Sequence, residues 1–276
     1  MISGATRVAM VIGSPVQHSL SPALHNAAFR QLGIDWVYVA AEVAPGRASA
    51  AVDAMRALGL GGMSVTMPHK EAVALAVDAL DGAAASLRSV NTVVPQADGS
   101  LKGYSTDGAG FVASLAAAGV SVTGRNVCVL GAGAAARSII DALGRCGAGR
   151  IAVLNRTPAA AAEAVRLAGG VGAIAVATDL RDADIVVNAT SVGMSSAELP
   201  CDPAALHSGQ VVADIVYHPR DTALLRAARD AGAVAVQGLG MLVHQAALQQ
   251  QLWHGQLPDV AVMAAAAERE LAARRQ

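Results

Sequence analysis

Two short segments carry the residue types needed to move a proton. Ser64-Val65-Thr66-Met67-Pro68-His69-Lys70 places a lysine just inside a predicted helix, and Ser105-Thr106-Asp107-Gly108 places an aspartate at the start of another. A lysine and a carboxylate brought together can share a proton. If Lys70 acts as a base, it must be partly buried, because burial lowers the pKa of a lysine. The alternative is a surface lysine, although the first turn of a helix disfavours a cation. This pair suggests alcohol or ketone redox chemistry.

A glycine turn lies further along the chain. The apolar run Val127–Leu130 leads into Gly131-Ala132-Gly133-Ala134-Ala135-Ala136, which fits Gly-x-Gly-x-x-Ala. The first glycine permits a tight turn, the second lets the backbone approach a pyrophosphate, and the third small residue lets a helix pack on a strand. A plain turn is the alternative. The strand before the turn and the helix after it favour a dinucleotide site, with phosphates at the helix N-terminus.

The second strand of this region ends at Leu154-Asn155-Arg156-Thr157. An NAD site usually has an acid here for the ribose 2′-hydroxyl, whereas an arginine accommodates a 2′-phosphate. No acid is present here. The Arg156 guanidinium can make a bidentate contact with a phosphate, and the Thr157 hydroxyl can donate to it. We therefore predict NADP as the cofactor, with NAD as the alternative and a solvated arginine as the simpler interpretation.

Composition limits the class of protein. The chain has 276 residues, 54% hydrophobic and 15% charged, which predicts a folded protein of two domains. The net charge is −1 and no basic run occurs, so nucleic-acid binding is not expected. No apolar run reaches the length of a membrane span, and three cysteines without metal-type spacing favour a reducing cytoplasm. The seven histidines also lack metal spacing, so no metal is predicted.

Strand-like and helical patterns alternate almost throughout. In the first part we predict strands over 7–13, 36–43 and 61–67, a helix capped by Ser21 and ended by Gly33, a helix from Pro68, and a hairpin around Asp98-Gly99. From residue 127 onward the strands are continuously apolar, which is typical of a parallel sheet covered on both faces. The expected fold is α/β: a substrate-binding domain with a mixed sheet over 1–106, completed by helices of 239–276, and a Rossmann-type NADP domain over 107–238.

The motifs together resemble those of the shikimate dehydrogenase family, and they occur in order along nearly the whole chain. They are Gly13-Ser14-Pro15, His18 to Pro22, His25-Asn26, Ser64 to Lys70, Val90-Asn91-Thr92, Thr106-Asp107-Gly108, Gly131 to Ala136, Asn155-Arg156-Thr157, Asn188 to Met194, Asp214 with Tyr217 and Pro219, and Gly240-Met241-Leu242 with Gln245. The resemblance implies reversible NADP-linked oxidation of a polyhydroxylated cyclohexene carboxylate, in a cleft between two domains.

The resemblance also implies a role for each matching residue. Lys70 would be the base and Asp107 its orienting partner. The expected substrate contacts are Ser19, Ser21, Thr66, Asn91, Tyr217 and Gln245. The expected cofactor contacts are Gly131, Ala132, Gly133, Ala134, Ala135, Asn155, Arg156, Thr157, Thr190, Ser191, Met194, Gly238 and Met241. Ser21 as a plain helix cap and Met241 as core packing are the simpler alternatives.

The chain departs from the family pattern at a few positions. Ser105 replaces the usual asparagine, Arg88-Ser89 the usual Gly-Ala, Ala134 a frequent third glycine and Ala160 a frequent basic residue. Because of these departures, two alternatives to a shikimate dehydrogenase stay open. One is a quinate or aminoshikimate dehydrogenase that uses NAD or NADP. The other is a catalytically silent NAD(P)-binding sensor. We expect a monomer or homodimer with a small-molecule substrate.

Overall fold

The computed structural model describes residues 2–274. These residues form two compact units. The first unit contains residues 2–106 and 243–274, and the second contains Asp107–Leu242. Each unit has its own six-stranded sheet. The expected two-domain α/β class, with one mixed and one parallel sheet, is confirmed.

The first unit is built on a mixed sheet with the strand order β2-β1-β3-β5-β6-β4. Its strands are β1 (Arg7–Gly13), β2 (Trp36–Glu42), β3 (Gly62–Val65), β4 (Ala79–Leu80), β5 (Thr92–Pro95) and β6 (Leu101–Tyr104). Strands β1, β2 and β3 are parallel, and β5 runs antiparallel to both β3 and β6. The predicted hairpin is therefore confirmed, and the Asp98 carboxylate tightens its turn by accepting from the Ser100 backbone N–H at 2.9 Å.

Helices cover this sheet. They are α1 (Ser21–Leu32), α2 (Ala48–Leu58), α3 (Lys70–Ala76), α4 (Gly82–Leu87), the part of α10 (Leu239–His254) from residue 243 onward, and α11 (Val260–Ala273). Helix α11 packs against α1, and the Arg274 side chain after it donates to the His18 carbonyl at 2.6 Å. The last helices thus complete the first unit.

Two predicted helix starts are wrong. Ser21 is not the N-cap of α1, because the chain already has helical dihedrals at Leu20, and the Ser19 hydroxyl accepts from the Ser21 N–H at 3.2 Å instead. The Ser21 side chain is consequently available for other contacts. Helix α3 begins at Lys70 with His69 as its N-cap, so Pro68 belongs to the preceding turn. The buried His69 ring bonds the Val43 carbonyl at 2.7 Å, which anchors the residue before Lys70.

The second unit has a fully parallel sheet with the order β12-β11-β10-β7-β8-β9. Its strands are β7 (Asn126–Leu130), β8 (Arg150–Leu154), β9 (Gly172–Ile174), β10 (Ile185–Asn188), β11 (Val211–Asp214) and β12 (Val234–Gln237). Val127 and Val129 pack into one apolar layer, while Cys128 and Leu130 pack into the other. Both faces are therefore buried, as the continuously apolar strands predicted.

Its helices are α5 (Asp107–Ala117), α6 (Ala134–Arg145), α7 (Pro158–Leu167), α8 (Asp179–Asp182) and α9 (Ala223–Asp230). Helix α5 begins at Asp107, as predicted. Helix α9 was not predicted. Its N-terminus is capped by the Thr222 hydroxyl, which accepts from the Leu225 N–H at 3.3 Å.

Candidate active site

The carboxyl ends of neighbouring strands bring the predicted cofactor residues to one edge of the parallel sheet. Leu130 at the end of β7 is in register with Leu154 of β8 on one side and with Asn188 of β10 on the other. The Gly131 N–H then donates to the Leu154 carbonyl at 2.8 Å. The chain turns that follow all three strands are thus adjacent. The order 3-2-1-4-5-6 from β9 to β12 puts the switch point, where dinucleotides bind, between β7 and β10.

The turn after β7 has the features that a pyrophosphate site requires. Gly131 has φ +111°, and a Cβ there would lie 2.9 Å from the Ala189 carbonyl oxygen. Gly133 is the N-cap of α6 without a side-chain cap, and a Cβ on it would meet nothing within 4 Å. The first N–H groups of α6 are therefore left to an anion, and the turn has room for it. Ala136 is fully buried, as the close packing of helix on strand requires.

The turn after β8 carries the residues expected to select the cofactor. Arg156 and Thr157 are exposed, and Thr157 is the N-cap of α7 without using its hydroxyl as a cap. The Asn155 amide donates to the Thr157 carbonyl at 3.0 Å and so shapes the turn. The residues present fit a 2′-phosphate, because a cation, a hydroxyl and a helix N-terminus occur together without a carboxylate.

A buried carboxylate organises the turns after β10 and β11. Asp214 accepts from the Asn188 amide at 2.9 Å and from the Thr222 hydroxyl at 2.7 Å. Burial raises the pKa of Asp214, and these hydrogen bonds oppose the shift. The Asn188 oxygen in turn accepts from the Thr190 hydroxyl at 2.7 Å. The Thr190 hydroxyl therefore shapes its own loop.

The remaining expected cofactor contacts follow the same strand ends. Ser191 and Met194 are exposed in the loop after β10, and Gly238 follows β12 directly. A Cβ at Gly238 would press on the Ile215 carbonyl, so this position requires glycine. Met241 is partly buried and packs against the apolar core of the second unit.

Lys70 and Asp107 occupy equivalent places in their own units. Lys70 is the first residue of α3 in the first unit, and it is half-buried. Asp107 is the first residue of α5 in the second unit, and it is also half-buried. The backbone on the two sides of Lys70 is fixed, because the His69 ring is anchored and the Lys70 carbonyl accepts from the Val90 N–H at 3.0 Å.

The two serines expected to hold a carboxylate are adjacent at the start of α1. Ser19 lies in the loop before the helix, and its carbonyl accepts from Arg274 at 3.2 Å. Ser21 is buried, and its hydroxyl lies near the Tyr38 phenol, whose pKa it lowers against the larger, opposite effect of burial. Thr66 follows β3 and is half-buried, with its N–H donated to the Ile12 carbonyl at 2.9 Å.

Asn91 and Gln245 are both buried in the first unit. The Asn91 amide donates to the Thr106 hydroxyl at 2.9 Å, and its oxygen accepts from the Thr106 N–H at 2.9 Å. Asn91 thus holds the residue that precedes Asp107 in the chain. The Gln245 carbonyl accepts from the same Thr106 hydroxyl at 3.3 Å. Tyr217 lies in the second unit after β11 and is half-buried.

Sequence reasoning missed several residues that support these side chains. Four residues had no predicted role: Tyr38, Ser64, Gln249 and Arg274. Gln249 and Arg274 bond the expected site residues Gln245 and Ser19, respectively. Ser64 bonds Gln249, and Tyr38 bonds Ser64. Two signals were available. Ser64 is a polar residue inside a buried strand, and Gln249 is one helical turn after Gln245.

Some other kinds of site are not found within residues 2–274. No group of three or more His, Cys, Asp or Glu side chains there is arranged to hold a metal ion. No helix of that part of the chain is long and apolar enough to cross a membrane.

The second unit is of the dinucleotide-binding, Rossmann type, since its strand order and its glycine turn at the switch point are those of that class. Models of three domains match the chain: the shikimate dehydrogenase substrate binding domain over residues 11–93, shikimate / quinate 5-dehydrogenase over 114–221, and the shikimate 5′-dehydrogenase C-terminal domain over 238–268. The chain belongs to the shikimate dehydrogenase family, and the resemblance inferred from its motifs is confirmed.

Individual relatives are similar over nearly their whole length. Shikimate dehydrogenase (NADP(+)) of Moorella thermoacetica is 42% identical over 95% of this chain and 92% of its own. The enzyme of the same name from Rubrobacter xylanophilus is 45% identical over 95% of both chains. A crystal structure of shikimate 5-dehydrogenase from Thermus thermophilus in complex with NADP(H) and shikimate has a TM-score of 0.90 and 35% identity, covering 96% of this chain and 99% of that one.

Proposed function

We propose that this protein catalyses the reversible, NADP-linked interconversion of shikimate and 3-dehydroshikimate. The observation that carries the proposal is that a chain similar end to end to NADP-dependent shikimate dehydrogenases retains Lys70 and Asp107, each as the first residue of a helix. A silent sensor would not need this pair. The exposed Arg156 beside the glycine turn supports the preference for NADP.

The proposed chemistry assigns the proton to Lys70. When bound, the nicotinamide supplies the acceptor for the hydride that leaves the alcohol carbon. Lys70 takes the proton of the same hydroxyl during oxidation and returns it during reduction. Asp107 orients the Lys70 side chain, stabilises the ammonium that forms when Lys70 takes up the proton, and accepts from a ring hydroxyl of the substrate. These two roles are inferred from residue chemistry and family membership.

The substrate roles are divided among polar side chains. Ser19 and Ser21 donate hydroxyls to the carboxylate, with Thr66 and Tyr217 as further contacts. Asn91 and Gln245 bond the ring hydroxyls. Burial of Ser21, Asn91 and Gln245 supports discrimination, because a ligand that leaves a buried polar group unpaired binds poorly.

The turns of the second unit would hold the cofactor. The N-terminus of α6 with Gly131–Ala135 would bind the pyrophosphate, and Asn155, Arg156 and Thr157 would bind the adenosine 2′-phosphate. Thr190, Ser191, Met194, Gly238 and Met241 would border the nicotinamide.

The direct test compares four reactions of the purified protein by nicotinamide absorbance: shikimate and quinate, each with NADP⁺ and NAD⁺. We expect kcat/KM to be at least about tenfold higher for shikimate with NADP⁺ than for the other pairs. Preference for quinate or NAD⁺ would favour the second candidate, which the shikimate / quinate description of the matched domain supports. No turnover in any reaction, with NADP⁺ still bound, would contradict the proposed function and favour either another substrate, such as aminoshikimate, or a sensor.

We further propose a reducing, cytoplasmic compartment and a monomer or homodimer. Cys128, Cys146 and Cys201 are all free, which is consistent with such a compartment. Mass determination in solution by light scattering tests the oligomeric state.

A further inference from the structure

Three side chains that sequence reasoning missed form a continuous buried relay in the first unit. The Tyr38 hydroxyl on β2 donates to the Ser64 hydroxyl on β3 at 2.7 Å. Ser64 donates to the Gln249 side-chain oxygen on α10 at 2.7 Å, and the Gln249 amide donates to the Gln245 side-chain oxygen at 2.9 Å. All four residues are buried, so water does not compete for these bonds.

The direction of each bond in the relay is set by its neighbours. Burial raises the pKa of the Tyr38 phenol, so the phenol keeps its proton and remains a donor. The Ser64 hydroxyl accepts this hydrogen bond and donates its own to the Gln249 side-chain oxygen. A second contact, from the Gln249 amide nitrogen to the Asn91 carbonyl at 3.4 Å, fixes the same orientation. Turning the Gln249 amide over would set its oxygen against the oxygens of Asn91 and Gln245.

The two ends of the relay lie at residues expected to contact the substrate. At one end the Ser21 hydroxyl lies near the Tyr38 phenol and lowers its pKa. At the other end the Gln245 oxygen receives the Gln249 amide, which fixes Gln245 so that it offers its N–H groups as donors. The matching substrate group is an oxygen that accepts, either a hydroxyl lone pair or a ketone.

We propose that Gln249, held by Ser64 and Tyr38, is a positioning residue that fixes the amide orientation of Gln245 for a ring oxygen of the substrate. This inference rests on the proposed function. Gln249 itself acts through Gln245. Its loss should weaken substrate binding without affecting the cofactor or the chemical step.

The test is a double-mutant cycle on the full-length protein, with KM and kcat for shikimate and NADP⁺ as readouts. Gln249→Met keeps the length of the side chain and removes the amide. Without Gln249, the Gln245 side chain must be immobilised when the substrate binds, which costs about 0.5–1.5 kcal/mol. We therefore expect KM for shikimate to rise about 2- to 10-fold. KM for NADP⁺ and kcat should stay within about twofold. In a Gln245→Ala background the same change should shift KM for shikimate less than about twofold.

Two further variants keep the test decisive. Gln251→Met changes an exposed glutamine of the same helix and should leave KM unchanged. Tyr38→Phe removes only the hydroxyl at the head of the relay, so it should raise KM for shikimate in the same direction even if Gln249→Met does not fold.

Two results would overturn the positioning role while wild-type turnover upholds the proposed function. The first is that Gln249→Met raises KM for shikimate equally in the wild-type and the Gln245→Ala backgrounds. The second is that KM for shikimate is unchanged in both Gln249→Met and Tyr38→Phe. A wild-type protein that neither turns over nor binds shikimate would overturn the proposed function and the inference together.

Discussion

Acid should destabilise this protein through one buried histidine. His25 on α1 has no exposed surface, and its ring stacks on Tyr38 with centroids 4.1 Å apart. The His25 Nδ1 atom pairs with the Gln250 side-chain amide at 3.0 Å. Burial lowers the pKa of His25 from 6.5 to about 3, and nearby His254 adds to the shift. Between these two values the unfolded chain binds a proton that the folded chain does not. Stability is therefore fully present above pH 6.5 and is lost as the pH falls toward 3.

The size of this loss follows from the two pKa values. Protonation of His25 in the unfolded chain over the two pH units from 6.5 to 4.5 costs the folded protein about 3 kcal/mol. His25→Phe keeps a ring in the aromatic pocket and removes the titration. Urea unfolding at pH 7.5 and pH 4.5 gives the loss of unfolding free energy for wild type and for the variant. Subtracting one loss from the other removes the contributions of all other titrating groups. We expect the free energy of unfolding of wild type to fall by about 3 kcal/mol more than that of the variant. Equal losses would refute the reasoning.

Two further predictions concern arginines. Arg156→Ala should raise the Kd for NADP⁺ at least about tenfold and leave that for NAD⁺ within about twofold, because a charge-assisted bond to phosphate contributes about 1.5–3 kcal/mol. Arg166→Ala, on an exposed residue near the C-terminal end of α7, the helix that follows Arg156, should change neither Kd. Equal weakening of both cofactors by Arg156→Ala would reject the phosphate role. Arg88→Gly should raise the free energy of unfolding in urea by about 0.5–1 kcal/mol. Arg88 ends α4 with φ 50°, a left-handed conformation in which a Cβ costs about 1–2 kcal/mol. The greater flexibility of glycine in the unfolded chain offsets part of this gain. Arg88→Ala keeps the Cβ and should show no such gain, and a less stable Arg88→Gly would contradict this account.

The parallel sheet was predictable because its strands obey a simple rule. Each strand is apolar at consecutive positions, as in Val127–Leu130, and alternate residues pack into different layers. The glycine turn was predictable for a similar reason, since the positive φ of Gly131 and the buried Ala136 follow from local sequence. Arg88 is the reverse case. The usual glycine at this position is explained by the left-handed conformation, which only the structure reveals.

The errors arise where local signals compete or where distant residues meet. Ser21 and Pro22 resemble a helix start, yet Ser19, two residues before Ser21, accepts from the Ser21 N–H. The Ser21 hydroxyl lies instead near the Tyr38 phenol. Helix α9 is short, and its signals, the Thr222 cap and the buried Leu224 and Leu225, were overlooked. The bond between Ser64 and Gln249 joins residues 185 positions apart, which no local pattern predicts.

The most direct test of the central claim uses the two lysines of the chain, Lys70 and Lys102. Lys102 lies on β6 with its ammonium 5.3 Å from the Tyr104 ring centroid, so Lys102→Ala is a matched control for Lys70→Ala. The measurement is kcat for shikimate oxidation by NADP⁺. Loss of the proton acceptor should reduce kcat about 10²- to 10⁴-fold in Lys70→Ala and leave Lys102→Ala within about twofold of wild type. Near-normal turnover by a folded Lys70→Ala would contradict the account.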